Sequence, residues 1–223
     1  MRIFFMSLSV LIVQAFSGQA RPLVCENSVV SVSPQNSDKA ALVCQAAIRA
    51  EMLFETCNVP PLSRPIRIDI VTDLKPGFAG AYHRGEDWIE VLEAPLMDAV
   101  RNPESAFGFL PIDEYFKSVV VHELAHAAFE AVPCPLASCV ASNAYIAYAM
   151  QVMSLAPDAQ LTFEKNAGLN RRISRDELSP MFLFMAPGRF AQKAWTHLSQ
   201  RDHPCNYIGR ITDGTVLLDR ERF

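Results

Sequence analysis

The chain has 223 residues, half of them hydrophobic and a fifth charged, with a formal net charge of −4. Such a composition excludes a disordered chain. The lack of a basic surplus excludes nucleic acid as a partner, and no repeat or low-complexity segment is visible.

Residues 1–20, MRIFFMSLSVLIVQAFSGQA, place one early cation, Arg2, before an apolar stretch from Ile3 to about Val13 and end in Gly18-Gln19-Ala20. That layout reads as a secretory signal peptide cleaved after Ala20. The apolar stretch is short for a membrane span, and no later segment approaches one. The expectation is therefore a secreted or periplasmic protein with no membrane partner after cleavage. Removal of the leader takes Arg2 with it, shifts the net charge from −4 to −5, and leaves residues 21–223. That length suits a single domain with a sizeable core.

Val24 to Val32 alternates weakly and predicts a first strand. Asp38 is placed to cap a helix running to about Thr56. Pro60-Pro61 and Pro65 break the chain. Ile66-Arg67-Ile68-Asp69-Ile70-Val71 alternates as a half-buried strand does. Gly77 and Gly80 mark a loop. Ala79 to Tyr82 and Trp88 to Leu92 flank Arg84-Gly85-Glu86-Asp87 and predict a hairpin. Residues 93–111 hold three prolines and are expected to be mostly loop.

A helix is predicted over about 112–131. Its second half, Val119 to Ala128, is apolar nearly all round except for His122, Glu123 and His126. A helix of that kind is buried. Two histidines four residues apart share a helix face, and neutral imidazoles there can both reach one Zn²⁺ at about 2.0–2.1 Å. Burying these three polar side chains is costly unless something satisfies them, and a metal ion does so directly. The spacing His122-Glu123-Leu124-Ala125-His126 resembles the active-site helix of the zincin metallopeptidases. The resemblance implies that His122 and His126 are zinc ligands and that Glu123 is the catalytic base toward a metal-bound water. It also implies an α+β, zincin-like fold, in which a small twisted sheet packs on the active-site helix ahead of a mostly helical C-terminal half. In such folds an edge strand holds an extended peptide by strand addition, and the 79–92 hairpin is the candidate.

Val140 to Leu155 predicts a further apolar helix. Residues 158–186 read as short helices and loops, with Arg171, Arg172 and Arg175 on a solvated face. Arg189 to Gln200 is expected to be helical. In the tail, Thr212-Asp213-Gly214-Thr215 is a hairpin turn signal.

Six cysteines follow residue 20, and an even count after a signal peptide implies three disulfides. Cys134 and Cys139 form the easiest local pair, worth roughly 2 kcal/mol in a chain-entropy model. Cys44 and Cys57 share a predicted helix about 20 Å apart and cannot pair with each other. Cys25 and Cys205 are left as their partners, in an order the sequence does not decide.

A catalytic zinc takes three protein ligands, and the sequence supplies two. The extended zincin motif with a third histidine is excluded, because Phe129 and Val132 stand at its Gly and His positions. The gluzincin branch takes a Glu from the next helix within Asn-Glu-x-x-Ala. Here the frame is Asn143-Ala144-Tyr145-Ile146-Ala147, with Ala144 at the ligand position. No Asp or Glu occurs between Glu130 and Asp158. Glu130 lies on the face of His122 but about 12 Å along the helix. Asn143, Tyr145, Tyr148, His197, His203, Asp158, Glu164, Asp176 and Glu177 are the remaining substitutes. Two functions follow. One is a secreted zinc metallopeptidase acting on a peptide or protein substrate. The other is a non-catalytic relative, a pseudopeptidase that binds a peptide or protein partner.

Overall fold

A computed structural model describes residues 22–33 and 39–219. The expected leader and the Asp38 cap lie outside these residues. Within them the chain is α+β. A five-stranded mixed sheet runs in the order β1-β2-β3-β5-β4. Its strands are β1 (Leu23–Val24), β2 (Val30–Val32), β3 (Ile66–Val71), β4 (Gly80–His83) and β5 (Trp88–Leu92). Eight α-helices accompany it among the described residues: α1 (Ala40–Cys57), α2 (Ala94–Val100), α3 (Ile112–Phe129), α4 (Val140–Met153), α5 (Pro157–Ala167), α6 (Pro180–Met185), α7 (Pro187–Ser199) and α8 (Pro204–Thr212).

Alternation decides which face of the sheet meets the helices. Val30, Val32, Ile66, Ile68, Ile70, Ile89 and Val91 are buried, and α1 and α3 pack over them. The opposite face carries Arg67, Asp69, Trp88, Glu90 and His83, joined by the Trp88 Nε1–H bond to Asp69 (2.8 Å) and by the His83–Glu90 pair (2.8 Å). β2, β3 and β5 run parallel, and β4 closes the edge antiparallel to β5. The predicted hairpin is therefore present, with β4 as the edge strand.

α3 is the central helix, flanked by α1, α2, α4, β4 and β5. Asp113 and Glu114 sit in its first turn, where carboxylates favour the positive end of the helix dipole. Its middle is buried from Val119 to Val121 and from Glu123 to Ala125. α4 lies alongside it and starts on an unusual cap. Asp219, from the C-terminal tail, accepts the backbone N–H groups of Ala141 (2.7 Å) and Ser142 (3.0 Å) and the Ser142 hydroxyl (2.7 Å). The tail thus supplies the N-terminal acceptor that Cys139, at the cap position, does not.

The disulfides are Cys25–Cys44, Cys57–Cys205 and Cys134–Cys139. The local pair and the exclusion of Cys44–Cys57 are as expected, and the open order is now decided. The first bridge holds the β1–β2 turn on α1, the second ties the end of α1 to α8, and the third closes the loop between α3 and α4.

The 93–111 stretch is mostly loop, as expected, apart from a short helix over 94–100 with Pro95 in its first turn, where the missing N–H costs nothing. Three expectations are corrected. The first strand is two short strands, because Cys25 accepts the Ser28 N–H and the chain reverses through Asn27 at φ +55°. The tail is not a hairpin: α8 runs to Thr212, and Asp213-Gly214 is the turn that ends it, with Thr215 N–H bonded to Asp213 (2.8 Å). Gly80 is the first residue of β4 rather than part of a loop.

Gly80 also sets how closely β4 approaches α3. A Cβ there would lie 2.8 Å from Glu123 Cγ and 2.9 Å from Val119 Cγ1. Gly80→Ala is expected to push β4 off α3 and cost about 1–3 kcal/mol, read as a lowered urea midpoint with an unchanged m-value.

Candidate functional site

His122, Glu123 and His126 occupy consecutive turns of α3 where α4 and β4 both meet it. Helical spacing brings the two imidazoles together, with Nε2 of His122 3.0 Å from Nε2 of His126. Two nitrogens on one tetrahedral zinc stand about 3.3 Å apart at ordinary bond lengths. At 3.0 Å the pair is also within N–H···N hydrogen-bond distance. Both rings are half-buried, whereas Glu123 is buried.

The other nitrogen of His126 is braced. Nδ1 lies 2.7 Å from the Asn143 side-chain oxygen. With that oxygen accepting, Nδ1 carries the proton and the Nε2 lone pair is directed at His122. Metal-binding histidines are oriented by such an outer hydrogen bond. Asn143, weighed from the sequence as a ligand, is thus placed as the brace. Its cue was its place in the frame one helix later. Nδ1 of His122 is buried without a hydrogen-bond partner. Gln151 lies beside His122 and raises its proton affinity, but its amide donates to Ser118 Oγ at 3.2 Å. Tyr148 packs edge-on against the His122 ring, with centroids 4.5 Å apart, and Phe190 of α7 backs Tyr148.

Glu123 takes its partner from the sheet. The Tyr82 backbone N–H donates to Glu123 Oε2 at 2.9 Å. A main-chain donor leaves no side-chain signature, so neither Tyr82 nor the need for glycine at 80 was legible as part of the site. Burial pushes the Glu123 carboxyl up to about 8, and the Tyr82 N–H opposes that shift in part. Burial drives His122 well below the usual imidazole value, and His126 beside it adds to the effect. His126 is lowered by burial too, against the Asn143 hydrogen bond. Both rings are therefore held neutral, the form that binds a metal.

The remaining substitutes for a third ligand are engaged elsewhere or placed on other elements. Glu130 pairs with Arg64 (2.8 Å) and accepts the Gly85 N–H (2.7 Å). Glu164 accepts from Trp195 Nε1 (2.9 Å). Glu177 pairs with Arg171 and Lys193. Asp158 starts α5, Asp176 lies on the 3₁₀ turn Arg175–Glu177, and His203 precedes α8. Ala144 is buried in the core. Among the described residues no three His, Cys, Asp or Glu side chains gather as a metal site would require.

A family model described as a family of unknown function, DUF6639, matches residues 30–221. No curated protein and no solved structure matches the chain.

His197 serves the fold. Its Nε2 accepts from Arg201 (2.9 Å), and Nδ1 meets the Tyr145 hydroxyl (2.8 Å). Burial, aided by Arg201, Arg175 and Arg172, lowers its pKa to about 4. Between pH 4 and the unfolded value of about 6.5, the unfolded chain binds the extra proton. Stability then rises with pH across this window and is lost as pH falls through it. His197→Gln is expected to flatten that part of the pH–stability curve, measured by chemical denaturation at pH 7 and pH 4.5.

Proposed function

The chain belongs to DUF6639, a family of unknown function; from the geometry of its α3 site we propose that it is a zinc-dependent hydrolase, a metallopeptidase of zincin type. The observation that carries this reading is the His122–His126 pair, with its Nε2 atoms 3.0 Å apart and its outer nitrogen braced by Asn143. His122 and His126 would hold the ion. When bound, zinc supplies Lewis acidity toward a scissile carbonyl and acidifies water.

The protein's own groups do the rest. Glu123 sits beside the imidazoles in a water-poor setting. A carboxyl pushed up to about 8 can take and return a proton near neutral pH, as a general base needs. The Tyr82 N–H fixes its orientation. Asn143 fixes the tautomer of His126. β4 offers an extended substrate an edge for strand addition. Three disulfides support an oxidising, extracytoplasmic setting. No described helix is long and apolar enough to cross a membrane.

One observation favours a second reading. Ala144 leaves the expected ligand position without a donor, and no described carboxylate replaces it. That is what a non-catalytic, peptide-binding relative would show. Glu123→Ala separates the two. A hydrolase retains its zinc and loses about 10²–10⁴-fold in peptide hydrolysis. A wild-type protein with no hydrolysis of any member of a peptide library supports the binding protein. Full activity in Glu123→Ala contradicts the catalytic role.

Two further variants address the metal itself. His122→Ala and His126→Ala are each expected to abolish stoichiometric zinc in elemental analysis. Asn143→Ala is expected to weaken zinc about 10–100-fold while leaving the fold intact, measured by competition with a chromogenic chelator.

A further inference from the structure

Among the described residues Nδ1 of His122 is buried with no hydrogen-bond partner, whereas the matching nitrogen of His126 is held by Asn143 at 2.7 Å. The packing of α3 on α4 explains the difference. The two helices run antiparallel. His126 meets Asn143, and about two turns further along each helix Ser118 meets Gln151. His122 lies midway between His126 and Ser118. Midway between Asn143 and Gln151 lies Ala147, a buried methyl with nothing to offer a ring nitrogen. The buried Gln151 side chain, one turn beyond Ala147, is the polar group of α4 that lies beside His122.

Ser118 sets which end of the Gln151 amide is which. The Ser118 hydroxyl donates its one proton to the Tyr115 carbonyl at 2.8 Å. Its oxygen can then only accept, so the nitrogen end of the amide faces Ser118, at 3.2 Å. The oxygen, an acceptor, is the end left for His122. Gln151 accordingly raises the proton affinity of the ring, as an acceptor does and a donor does not. A ring that binds a metal needs that acceptor. Neutral imidazole carries one N–H. With Nε2 of His122 turned toward Nε2 of His126 and given to a shared ion, the proton belongs on Nδ1. A buried Nδ1–H without an acceptor is costly.

We propose that Gln151 is the positioning residue for His122: its amide oxygen accepts the Nδ1 proton of the metal-binding tautomer and keeps Nε2 turned toward the ion, as Asn143 does for His126. This role rests on the zinc reading above. It makes α4 the source of the outer hydrogen bond for both histidines, although the same helix has Ala144 at the expected ligand position. Gln151 also ties α4 to α3 through Ser118. The two roles use opposite ends of the amide: the tie needs the donor, and the brace needs the acceptor.

Two substitutions separate these roles. Met has neither end of the amide, whereas an ionised Glu keeps an acceptor and has no donor. Gln151→Met is expected to weaken zinc about 10–100-fold, measured by competition with a chromogenic chelator. Gln151→Glu is expected to bind zinc at least as tightly as wild type, because a carboxylate is a strong acceptor for a ligating imidazole. A residue that only tied α4 to Ser118 would give both variants the same affinity, since both lose the donor. In the zinc-loaded wild-type protein, proton–nitrogen NMR of labelled histidine is expected to show the His122 Nδ1–H as a downfield, hydrogen-bonded proton. In Gln151→Met that signal moves upfield while the His126 signal stays. Circular dichroism checks the fold, and the wild-type spectrum decides alone where a variant does not fold. Equal zinc affinity in the two variants, or a zinc-loaded wild type whose His122 Nδ1 carries no hydrogen-bonded proton, overturns the proposal and leaves the zinc site standing. A wild-type protein that takes up no zinc overturns the zinc reading, and this role with it.

Discussion

Two imidazoles and a carboxyl on a buried, otherwise apolar helix cost free energy unless each polar atom finds a partner. Much of the architecture around α3 answers that demand. α4 brings Asn143 to the outer nitrogen of His126. β4 brings the Tyr82 N–H to Glu123, and it comes close enough only because residue 80 has no side chain. The Nε2 atoms of the two rings face each other. Nδ1 of His122 is the one atom of the trio left buried and unmatched.

Those contacts depend on parts of the chain far from the motif. Asn143 is on the first turn of α4, and that turn is held by Asp219, 78 positions beyond Ala141 in sequence, and by the Cys134–Cys139 bridge just before it. Tyr82 is placed by the antiparallel register of β4 on β5, which sets it opposite Ile89 and so toward the helices. α1 backs α3 and is itself fixed at each end by a disulfide. The fixed placement of the trio's partners therefore comes from long-range closure rather than from α3 alone.

What could be read in the sequence was what repeats locally. The alternation of Ile66 to Val71, the hairpin around Gly85, the spacing of His122 and His126 and the apolar run of α4 each state their structure within a few residues. Cys44 and Cys57 could be kept apart because helix rise is fixed. Features that rest on distant partners were not legible. Nothing local marks Asp219 as the cap of α4, the Tyr82 main chain as the Glu123 donor, or Asn143 as a brace rather than a ligand. The Asp213-Gly214 turn was visible, but whether a strand or a helix entered it depended on the packing of α8 against α1.

Ala144 is the sharpest departure from the gluzincin pattern, and the described residues put no carboxylate in its place. The claim at the centre of this account is that His122 and His126 share one metal ion. Anomalous diffraction at the zinc edge, from crystals of the protein grown with zinc, tests it directly. The account predicts one peak about 2.0–2.1 Å from both Nε2 atoms, and the density around that peak would reveal the third ligand. A zinc-loaded crystal with no peak between the two rings would contradict it.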